Sequence, residues 1–365
     1  MPPIFSARSK RSASTGAPSA TCAIFAATRS SIIAEEADMP LAVALGDPAG
    51  IGPEVIAKSW ESRRSRAVPP FFAVGSVSAV RAVWNGPIAV IDDPGEAIAA
   101  FETALPILRV KSDTEVVPGR PDLEGARNSL DALEFAVGLT RAGSASGLVT
   151  GPVSKAQLYA IGFVHPGQTE FVAERCGVAS ELVAMMLMGP SLKVIPVTTH
   201  IPLREVTELL SVERIVAKGR AAIRGLQRQF GIASPRLAVA GLNPHAGEDG
   251  TLGREEIEIV APAVERLREE GYDATGPHAP DIMFSAQRRP TYDAALCMYH
   301  DQGLIPLKTL HFDEGVNVTL GLPIVRTSPD HGTAFDIAGS DSADPGAMIA
   351  AIRTAGECAR RLAEA

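Results

Sequence analysis

Long hydrophobic runs and an excess of basic residues are both missing from this chain of 365 residues. No uninterrupted apolar stretch reaches the roughly 18 residues that a membrane-spanning helix needs, so the sequence predicts no membrane partner. The formal net charge is −8 at pH 7, whereas proteins that bind nucleic acid through its phosphates usually carry a basic surface. Nucleic acid is therefore not expected as a partner either.

Cysteine is scarce, and its spacing argues against a disulfide framework. The four cysteines form neither a Cys-x-x-Cys pair nor a regular interval; they are Cys22, Cys176, Cys297 and Cys358. Free thiols are typical of a reducing compartment, which predicts a cytoplasmic protein. The remaining composition, with 46% hydrophobic and 21% charged residues, is ordinary for a globular enzyme of one or two domains.

Acidic residues are missing from the beginning of the chain. None precedes Glu35, and Ser, Ala and Thr dominate residues 1–38. Such a composition cannot build an apolar core, so we predict a disordered extension over residues 1–38. A transit peptide is an alternative interpretation, and Met39 opens the first clear strand.

The rest of the chain alternates short apolar runs with Gly/Pro-rich turns and segments of helical spacing. This alternation predicts an α/β protein in which βα units surround a mainly parallel sheet. Strands are expected at residues 41–45, 71–74, 88–91, 147–150, 194–199, 237–240 and 294–298, and helices at 53–60, 129–142, 212–230, 254–270 and 345–365. The stretch 92–121 has weak periodicity and is expected to be a connection or a peripheral hairpin.

Three histidines, His200, His245 and His300, each follow directly on a nearly all-apolar run. Because the carboxyl ends of parallel strands share one edge of a sheet, these side chains are expected to converge there. Three imidazoles with an open fourth position are typical of a catalytic zinc site. Any one of the three taken alone is better explained as a polar residue at a strand end, and their shared position favours the metal site.

Further polar residues near these runs are candidates for binding an anion. They are Lys155, Gln168 and Thr169 after the run at 147–150, and Lys308, Asn317 and Arg326 after His300. A guanidinium binds a carboxylate or phosphate through two parallel hydrogen bonds, while a lysine acts as a point charge. Placed around a metal, these residues predict a small, doubly anionic substrate, although each one alone is more simply a surface or capping residue.

Two glycine-rich loops follow predicted strands. Residues 46–54 connect a strand to a helix and match neither the P-loop nor the GxGxxG pattern, so a tight turn and a binding loop both remain open. Residues 330–339 present backbone amides and an imidazole that can cradle an adenosine group.

Eight motifs, taken together and in order, resemble the 4-hydroxythreonine-4-phosphate dehydrogenase family of pyridoxine biosynthesis. They are GDPAGIGPE, TGPVSK, HPGQTEF, TTHIPL, GLNPHAGEDG, MYHDQG, GVNVTLGLP and RTSPDHGTAFDIAG, and the resemblance covers essentially all of residues 40–355. The resemblance implies an α/β fold like that of isocitrate and isopropylmalate dehydrogenases, with two αβα domains flanking a cleft. A cofactor-side domain is expected at 39–140 plus 310–365, and a domain with the metal, substrate and dimer surfaces at 141–309.

The resemblance also implies a homodimer with its active site at the subunit interface, and it assigns roles to residues of this chain. His200, His245 and His300 are implied to bind one divalent ion, which is zinc or alternatively magnesium or cobalt. Substrate binding falls to Gln168, Thr169, Lys308, Asn317 and Arg326, catalysis to Asp301, Asp281 and Lys308, and NAD or NADP binding to His331, Gly332, Thr333 and Ala334. The family commonly has a histidine where Gln168 stands, and an amide can donate a hydrogen bond to a phosphate but carries no charge.

The implied reaction is the oxidation of 4-phosphooxy-L-threonine by NAD(P)+ to 2-amino-3-oxo-4-phosphooxybutanoate, which loses CO2 to give 3-amino-2-oxopropyl phosphate. The metal would lower the pKa of the substrate hydroxyl, and Asp301 or Asp281 would remove its proton. One alternative is a related dehydrogenase for 4-phosphoerythronate, 4-phosphothreonate or a terephthalate cis-dihydrodiol. The others are a zinc hydrolase, which needs no nicotinamide, and a non-catalytic sensor, which needs no metal.

Overall fold

The computed structural model describes residues 39–111 and 115–364, so the extension expected over residues 1–38 lies outside the described residues. The described chain contains a sheet of 12 strands. The strands are β1 (Leu41–Ala44), β2 (Phe71–Gly75), β3 (Ile88–Ile91), β4 (Leu105–Arg109), β5 (Leu148–Thr150), β6 (Ala184–Gly189), β7 (Leu192–Thr198), β8 (Leu237–Ala240), β9 (Ala274–His278), β10 (Ala294–Tyr299), β11 (Val316–Leu320) and β12 (Arg326–Pro329).

Helices pack against this sheet. They are α1 (Gly52–Glu61), α2 (Val77–Val83), α3 (Ala97–Phe101), α4 (Leu123–Arg141), α5 (Lys155–Ala160), α6 (Gln168–Arg175), α7 (Val206–Leu209), α8 (Val212–Phe230), α9 (Ala261–Glu269), α10 (Pro280–Met283), α11 (His300–Leu310) and α12 (Gly346–Glu364). Among the described residues, no helix is long and apolar enough to cross a membrane. The predicted α/β class is confirmed.

The sheet consists of two parallel blocks joined by antiparallel strands. The strand order is β3-β4-β2-β1-β5-β12-β11-β6-β7-β10-β8-β9. The first block, from β3 to β12, is parallel throughout, and so is the second block, from β7 to β9. Between the blocks, β12, β11, β6 and β7 pair antiparallel in succession. These three reversals make the two blocks run in opposite directions.

Burial explains why the apolar runs form the interior strands. Every residue of β1 and β2 is buried, which requires helices on both faces of the sheet at these strands. The helix α8 shows how the boundaries are encoded: the Ser211 hydroxyl accepts a hydrogen bond from the Arg214 amide at its start, and Gly231 ends it in the left-handed region with φ 67°. Its predicted bounds, 212–230, are confirmed.

The structure contains several strands that the sequence did not predict, and β4 is the clearest of them. The stretch 92–121 was expected to be a connection or a peripheral hairpin, yet β4 lies inside the sheet between β2 and β3. Its sequence, Leu-Pro-Ile-Leu-Arg, contains a proline and is only five residues long. The short strands β6, β9, β11 and β12 were likewise not expected.

The division into two domains stays a prediction. The strand β5, which the expected boundary places in the second domain, pairs with β1 and β12 of the first block. Three of the four cysteines, Cys176, Cys297 and Cys358, are free thiols as predicted, and Cys22 lies outside the described residues.

Asp47, the third residue after β1 and followed by Pro48, is a carboxylic acid that is only 2% exposed. Burial raises its pKa from the usual 3.8 to about 6. The Ala49 N–H donates to its Oδ1 at 3.1 Å and lowers the pKa, whereas the nearby charge of Asp122 raises it further. A pKa that is raised by folding favours the protonated acid in the folded state. The stabilisation from this group is therefore full below pH 4 and is lost as the pH rises through 6.

Asp47→Asn is therefore expected to stabilise the protein only at the higher pH. An amide cannot ionise, and about two pKa units correspond to about 3 kcal/mol in the free energy of unfolding above pH 7. Urea unfolding of both proteins at pH 5, 6 and 8 measures this difference, which should grow up to pH 6 and then stay constant. A difference that is the same at all three values would contradict the ionisation of a buried Asp47.

Candidate active site

A polar cavity of about 220 Å³ lies where β5, β12, β11 and the end of β7 meet. It therefore sits at the junction of the two blocks. Eight residues predicted from the sequence line it: Lys155, Gln168, Thr169, His200, Asn317, Arg326, His331 and Gly332. The structure thus brings the predicted anion-binding residues, one predicted metal ligand and part of the predicted cofactor loop to one place.

Arg326, the first residue of β12, is the charge at the back of this cavity. It is 3% exposed, and its guanidinium donates only to hydroxyl groups: Nη2 to Thr150 Oγ1 at 2.7 Å, and Nη1 to Thr319 Oγ1 at 3.1 Å and Thr169 Oγ1 at 3.4 Å. Desolvation lowers its pKa to about 10, although Glu170 opposes this. A buried cation without an anionic hydrogen-bond partner is costly, and an anion in the cavity would offset that cost.

Three buried polar atoms that line the cavity have no hydrogen-bond partner among the described residues. They are Arg326 Nε, Asn317 Oδ1 and His331 Nε2. Buried polar groups are rarely left unpaired, so these atoms mark where the polar groups of a ligand belong. The set combines a charged donor, an acceptor and a ring nitrogen, which suits a small polar molecule with an anionic group.

Gln168 and Thr169 enter the cavity at the start of α6. The Gln168 Nε2 donates to the Gly151 carbonyl at 3.1 Å, and this holds the side chain across the mouth of the turn after β5. Gly151 itself has no room for a side chain, because a Cβ there would lie 2.4 Å from the Leu45 carbonyl oxygen. The first residues of α6 line the cavity, and a helix N-terminus favours an anion.

Two of the three predicted metal ligands lie together. His200 follows β7 and His300 follows β10; these strands are parallel neighbours with Thr198 paired to Tyr299, and the two imidazole centroids are 5.5 Å apart. Desolvation lowers the pKa of His200, and Lys155 and His300 lower it further. The neutral imidazole is the form that binds a divalent ion, so this pair fits a metal.

The third predicted ligand, His245, lies in an unusual turn after β8. Residues 245–249 all have positive φ, from 44° to 80°, and four of these five are not glycine. The turn rests on the buried carboxylate of Glu256, which accepts hydrogen bonds from the Leu242 and Asn243 amides at 2.7 Å. Across residues 39–111 and 115–364, no three His, Cys, Asp or Glu side chains form a group that could hold a metal ion. The three-histidine site therefore stays a prediction.

The predicted catalytic residues lie outside the cavity. The Asp301 carboxylate accepts a hydrogen bond from His300 Nδ1–H at 2.7 Å and is mostly exposed, and Asp281 is exposed on α10. Lys308 forms an ion pair with Asp330 at 3.0 Å and lines a separate groove together with His300 and Asp301. The structure brings Lys308 to the same groove as His300, and Lys308 does not line the cavity that holds Arg326.

The predicted cofactor loop is docked on the glycine-rich turn after β1. The Ile51 N–H donates to the Thr333 carbonyl at 2.9 Å, and a Cβ on Gly50 would lie 2.9 Å from the same oxygen. His331 and Gly332 line the cavity, whereas Thr333 and Ala334 turn towards α1. Residues 46–54 thus serve as a platform for the segment that follows β12.

Sequence reasoning missed the hydroxyl groups that hold the guanidinium. Thr150 and Thr319 lie in strands and are 1% and 0% exposed. A threonine in a strand is so common that neither residue stood out, yet two buried hydroxyls in strands flanking an arginine-bearing strand would have been a usable signal.

An α/β sheet with a buried guanidinium that has no anionic hydrogen-bond partner, in a polar cavity at the junction of its two blocks, is the arrangement expected of a protein that binds a small anion. A family model described as Pyridoxal phosphate biosynthetic protein PdxA matches residues 69–355. The chain belongs to this family.

Individual relatives match nearly the whole described chain. The 4-hydroxythreonine-4-phosphate dehydrogenase of Zymomonas mobilis is 55% identical over 313 residues, which cover 86% of this chain and 93% of that protein. The enzyme of the same name from Erythrobacter litoralis is 55% identical over 335 residues, 90% of this chain and 99% of that protein. A crystal structure of the Klebsiella pneumoniae 4-hydroxythreonine-4-phosphate dehydrogenase superimposes with a TM-score of 0.80 at 40% identity, covering 88% of this chain and 99% of that one.

Proposed function

We propose that this protein oxidises 4-hydroxythreonine 4-phosphate with NAD or NADP, and that the product loses CO2 to give 3-amino-2-oxopropyl phosphate. The observation that carries the proposal is the guanidinium of Arg326, which is buried in the cavity with hydroxyl partners only. The proposed substrate brings a phosphate and a carboxylate, either of which would supply the missing anion. The names of relatives at 55% identity support the same reaction.

The cavity suggests how the chain would hold this substrate. Arg326 would bind one anionic group through its free Nε–H together with an Nη, and Asn317 Oδ1 would accept from the substrate's ammonium or hydroxyl group. Gln168, Thr169 and the amides at the start of α6 would bind the other anionic group. Two fixed anionic groups orient the alcohol carbon between them, which is where rate enhancement by positioning originates.

We further propose that His200, His245 and His300 hold one divalent ion, zinc or alternatively magnesium or cobalt. When bound, the ion would supply Lewis-acid polarisation of the substrate's oxygen. Asp301 or Asp281 would accept the hydroxyl proton, and the nicotinamide, when bound, would supply the acceptor for the hydride of the alcohol carbon. The hydrogen bond between Asp301 and His300 would keep that carboxylate beside the metal ligands.

His331, Gly332, Thr333 and Ala334 would hold the dinucleotide. The unpaired Nε2 of His331 fits this role, since His331 lines the same cavity as the proposed substrate residues and begins the docked segment. We also propose a homodimer. The groove beside His300 carries exposed apolar side chains, with Ile305 64% and Phe312 75% exposed, and a second copy covering it would bury them next to the site.

The test is a substrate panel followed by the absorbance of the reduced nicotinamide. 4-Hydroxythreonine 4-phosphate, 4-phosphoerythronate and a terephthalate cis-dihydrodiol are each offered with NAD+ and with NADP+ to protein loaded with zinc, magnesium or cobalt. We expect the first to have a kcat/KM at least about 100-fold above the others, because a site built for a charged group rejects analogues that leave it unpaired.

Two controls separate this outcome from the rival functions. The dephosphorylated substrate, 4-hydroxythreonine, should turn over poorly if the phosphate binds in the cavity. Release of inorganic phosphate without any nicotinamide would point to a metal hydrolase instead. A faster reaction with the dihydrodiol than with the phosphorylated amino acid would reject the substrate proposed here.

A further inference from the structure

An ion pair on α1 between the buried Glu54 and the partly exposed Lys58 holds the segment 331–343, and the proposed reaction does not use it. Glu54 is 1% exposed. Its Oε1 accepts hydrogen bonds from Lys58 Nζ at 2.8 Å and from the Ala343 N–H at 3.0 Å, and its Oε2 accepts from the Gly339 N–H at 3.3 Å. One carboxylate thus ties the helix to two backbone positions of the segment.

Lys58 binds the same segment from one turn further along the helix. Its ammonium donates to the Asp341 carbonyl at 2.8 Å and to the Ala343 carbonyl at 3.0 Å, and it pairs with the Asp341 carboxylate at 3.0 Å. Glu54, Asp341 and Ala343 therefore supply partners for all three N–H bonds of the ammonium. Asp341 has φ 61°, a left-handed conformation that a non-glycine residue keeps only when its surroundings fix it.

The segment depends on such contacts for its shape. Residues 331–343 form turns without a helix or strand, so no repeating backbone hydrogen bonds define them. Their first part is fixed by the hydrogen bond that the Ile51 N–H donates to the Thr333 carbonyl. It also packs closely on Gly119, where a Cβ would lie 2.8 Å from the Phe335 carbonyl oxygen. Their last part is fixed by Glu54 and Lys58.

We propose that Glu54 and Lys58 are positioning residues that keep the segment 331–343 in the shape that receives the dinucleotide. This proposal rests on the proposed function, since the dinucleotide is the ligand of that segment. Neither side chain needs to touch the ligand. If the pair is broken and only a tenth of the molecules hold the receptive shape, the apparent Kd of the dinucleotide rises about tenfold while the substrate pocket is unaffected.

The main test compares Lys58→Met with the wild type. The Kd of NADH, or of NADPH if the enzyme prefers it, is measured by fluorescence titration, and the exchange of the Gly339 and Ala343 amides is followed by mass spectrometry without ligand. We expect faster exchange across 335–343, a Kd and a dinucleotide KM raised about tenfold, and a KM for the phosphorylated substrate within about twofold of the wild type when the dinucleotide is saturating.

Two further variants make the result specific. Glu54→Gln keeps an acceptor for the Ala343 amide but removes the charge that faces Lys58; it should show the same changes to a smaller extent, and it replaces Lys58→Met if that variant does not fold. Glu258→Gln is the matched control, because Arg254 and Glu258 form an ion pair at the same helical spacing that is more than half exposed. The control should leave the exchange and both KM values unchanged.

The possible outcomes separate this proposal from the one it rests on. A folded Lys58→Met protein with wild-type exchange, or with faster exchange but a wild-type Kd, would overturn the positioning role alone. A wild-type protein that binds neither NADH nor NADPH would overturn the proposed function and this inference together. Raised values of both KM constants in equal measure would also overturn it, because they would indicate general loosening of the protein.

Discussion

Arg326→Met should lower kcat/KM for 4-hydroxythreonine 4-phosphate by about a thousandfold and leave the protein at least as stable as before. A thousandfold loss corresponds to about 4 kcal/mol, which lies within the usual cost of removing one partner of a buried, hydrogen-bonded charge pair. The wild-type guanidinium is buried without an anionic partner until the substrate arrives. Its removal therefore costs binding rather than folding.

The stability half of this prediction follows from two opposing terms. Desolvation of a buried ion costs several kcal/mol, and the three charge-assisted hydrogen bonds to Thr150, Thr169 and Thr319 return about 1.5–3 kcal/mol each, so the two terms nearly cancel. Methionine has a similar length and carries no charge, so the midpoint of urea unfolding should stay equal or rise. Binding sites often contain residues that lower the stability of the folded protein because the ligand requires them.

Steady-state kinetics with each substrate varied in turn checks the prediction. The KM for the phosphorylated substrate should rise steeply, and the KM for the dinucleotide should not. Arg326→Lys, which keeps a charge but loses the planar fork, should retain intermediate activity. Arg254→Met, at an arginine that is 64% exposed, is the matched control and should change nothing. Wild-type KM in Arg326→Met would disprove the role of this guanidinium.

His200→Ala should abolish turnover, by at least about a thousandfold, and release the metal from the protein. Three protein ligands and an open position are the usual requirement for a catalytic ion, so loss of one imidazole removes both affinity and geometry. His245→Ala and His300→Ala should have the same effect if all three side chains bind one ion. The fold should survive, because His200 lies beyond the end of β7 and contributes no core packing.

The metal content per protomer is measured by atomic absorption after dialysis. This measurement shows whether the metal is lost, which activity alone does not show. His278→Ala is the control, since the Nε2 of this imidazole forms a hydrogen bond with Thr275 Oγ1 at 2.9 Å and the residue belongs to no predicted site. We expect near-stoichiometric metal in the wild type and in the control, and little in the other three variants. Full activity in metal-free His200→Ala protein would refute the metal site.

The sequence predicted the elements whose pattern is local. The strands β3 and β8 and the helix α8 have the expected bounds, because an apolar run between turns and a capped amphipathic stretch are complete signals in themselves. The strands β11 and β12 were not expected because their order in the sheet depends on partners at least 128 residues away. Their sequences, with Asn317 and Arg326, are too polar to look like interior strands.

The candidate site divides along the same line. Three histidines at strand ends could be found from the sequence, because position after an apolar run is a local property. Whether the three imidazole rings meet could not be predicted from the sequence. It depends on the left-handed turn that carries His245 and on what a second copy contributes. The ion pair between Lys308 and Asp330 was also invisible, because no pattern joins residues on α11 with the end of β12.

The place of the last two strands bears on how the chain is made by the ribosome. The strands β11 and β12 are the last to be synthesised, yet they lie in the middle of the sheet, between β5 and β6. A nascent chain that has reached residue 310 therefore holds two groups of strands with a gap between them, although domains tend to fold in the order of synthesis. Arg326 arrives with the strand that closes this gap, so a prematurely terminated product lacks both the closed sheet and the charge of the binding cavity.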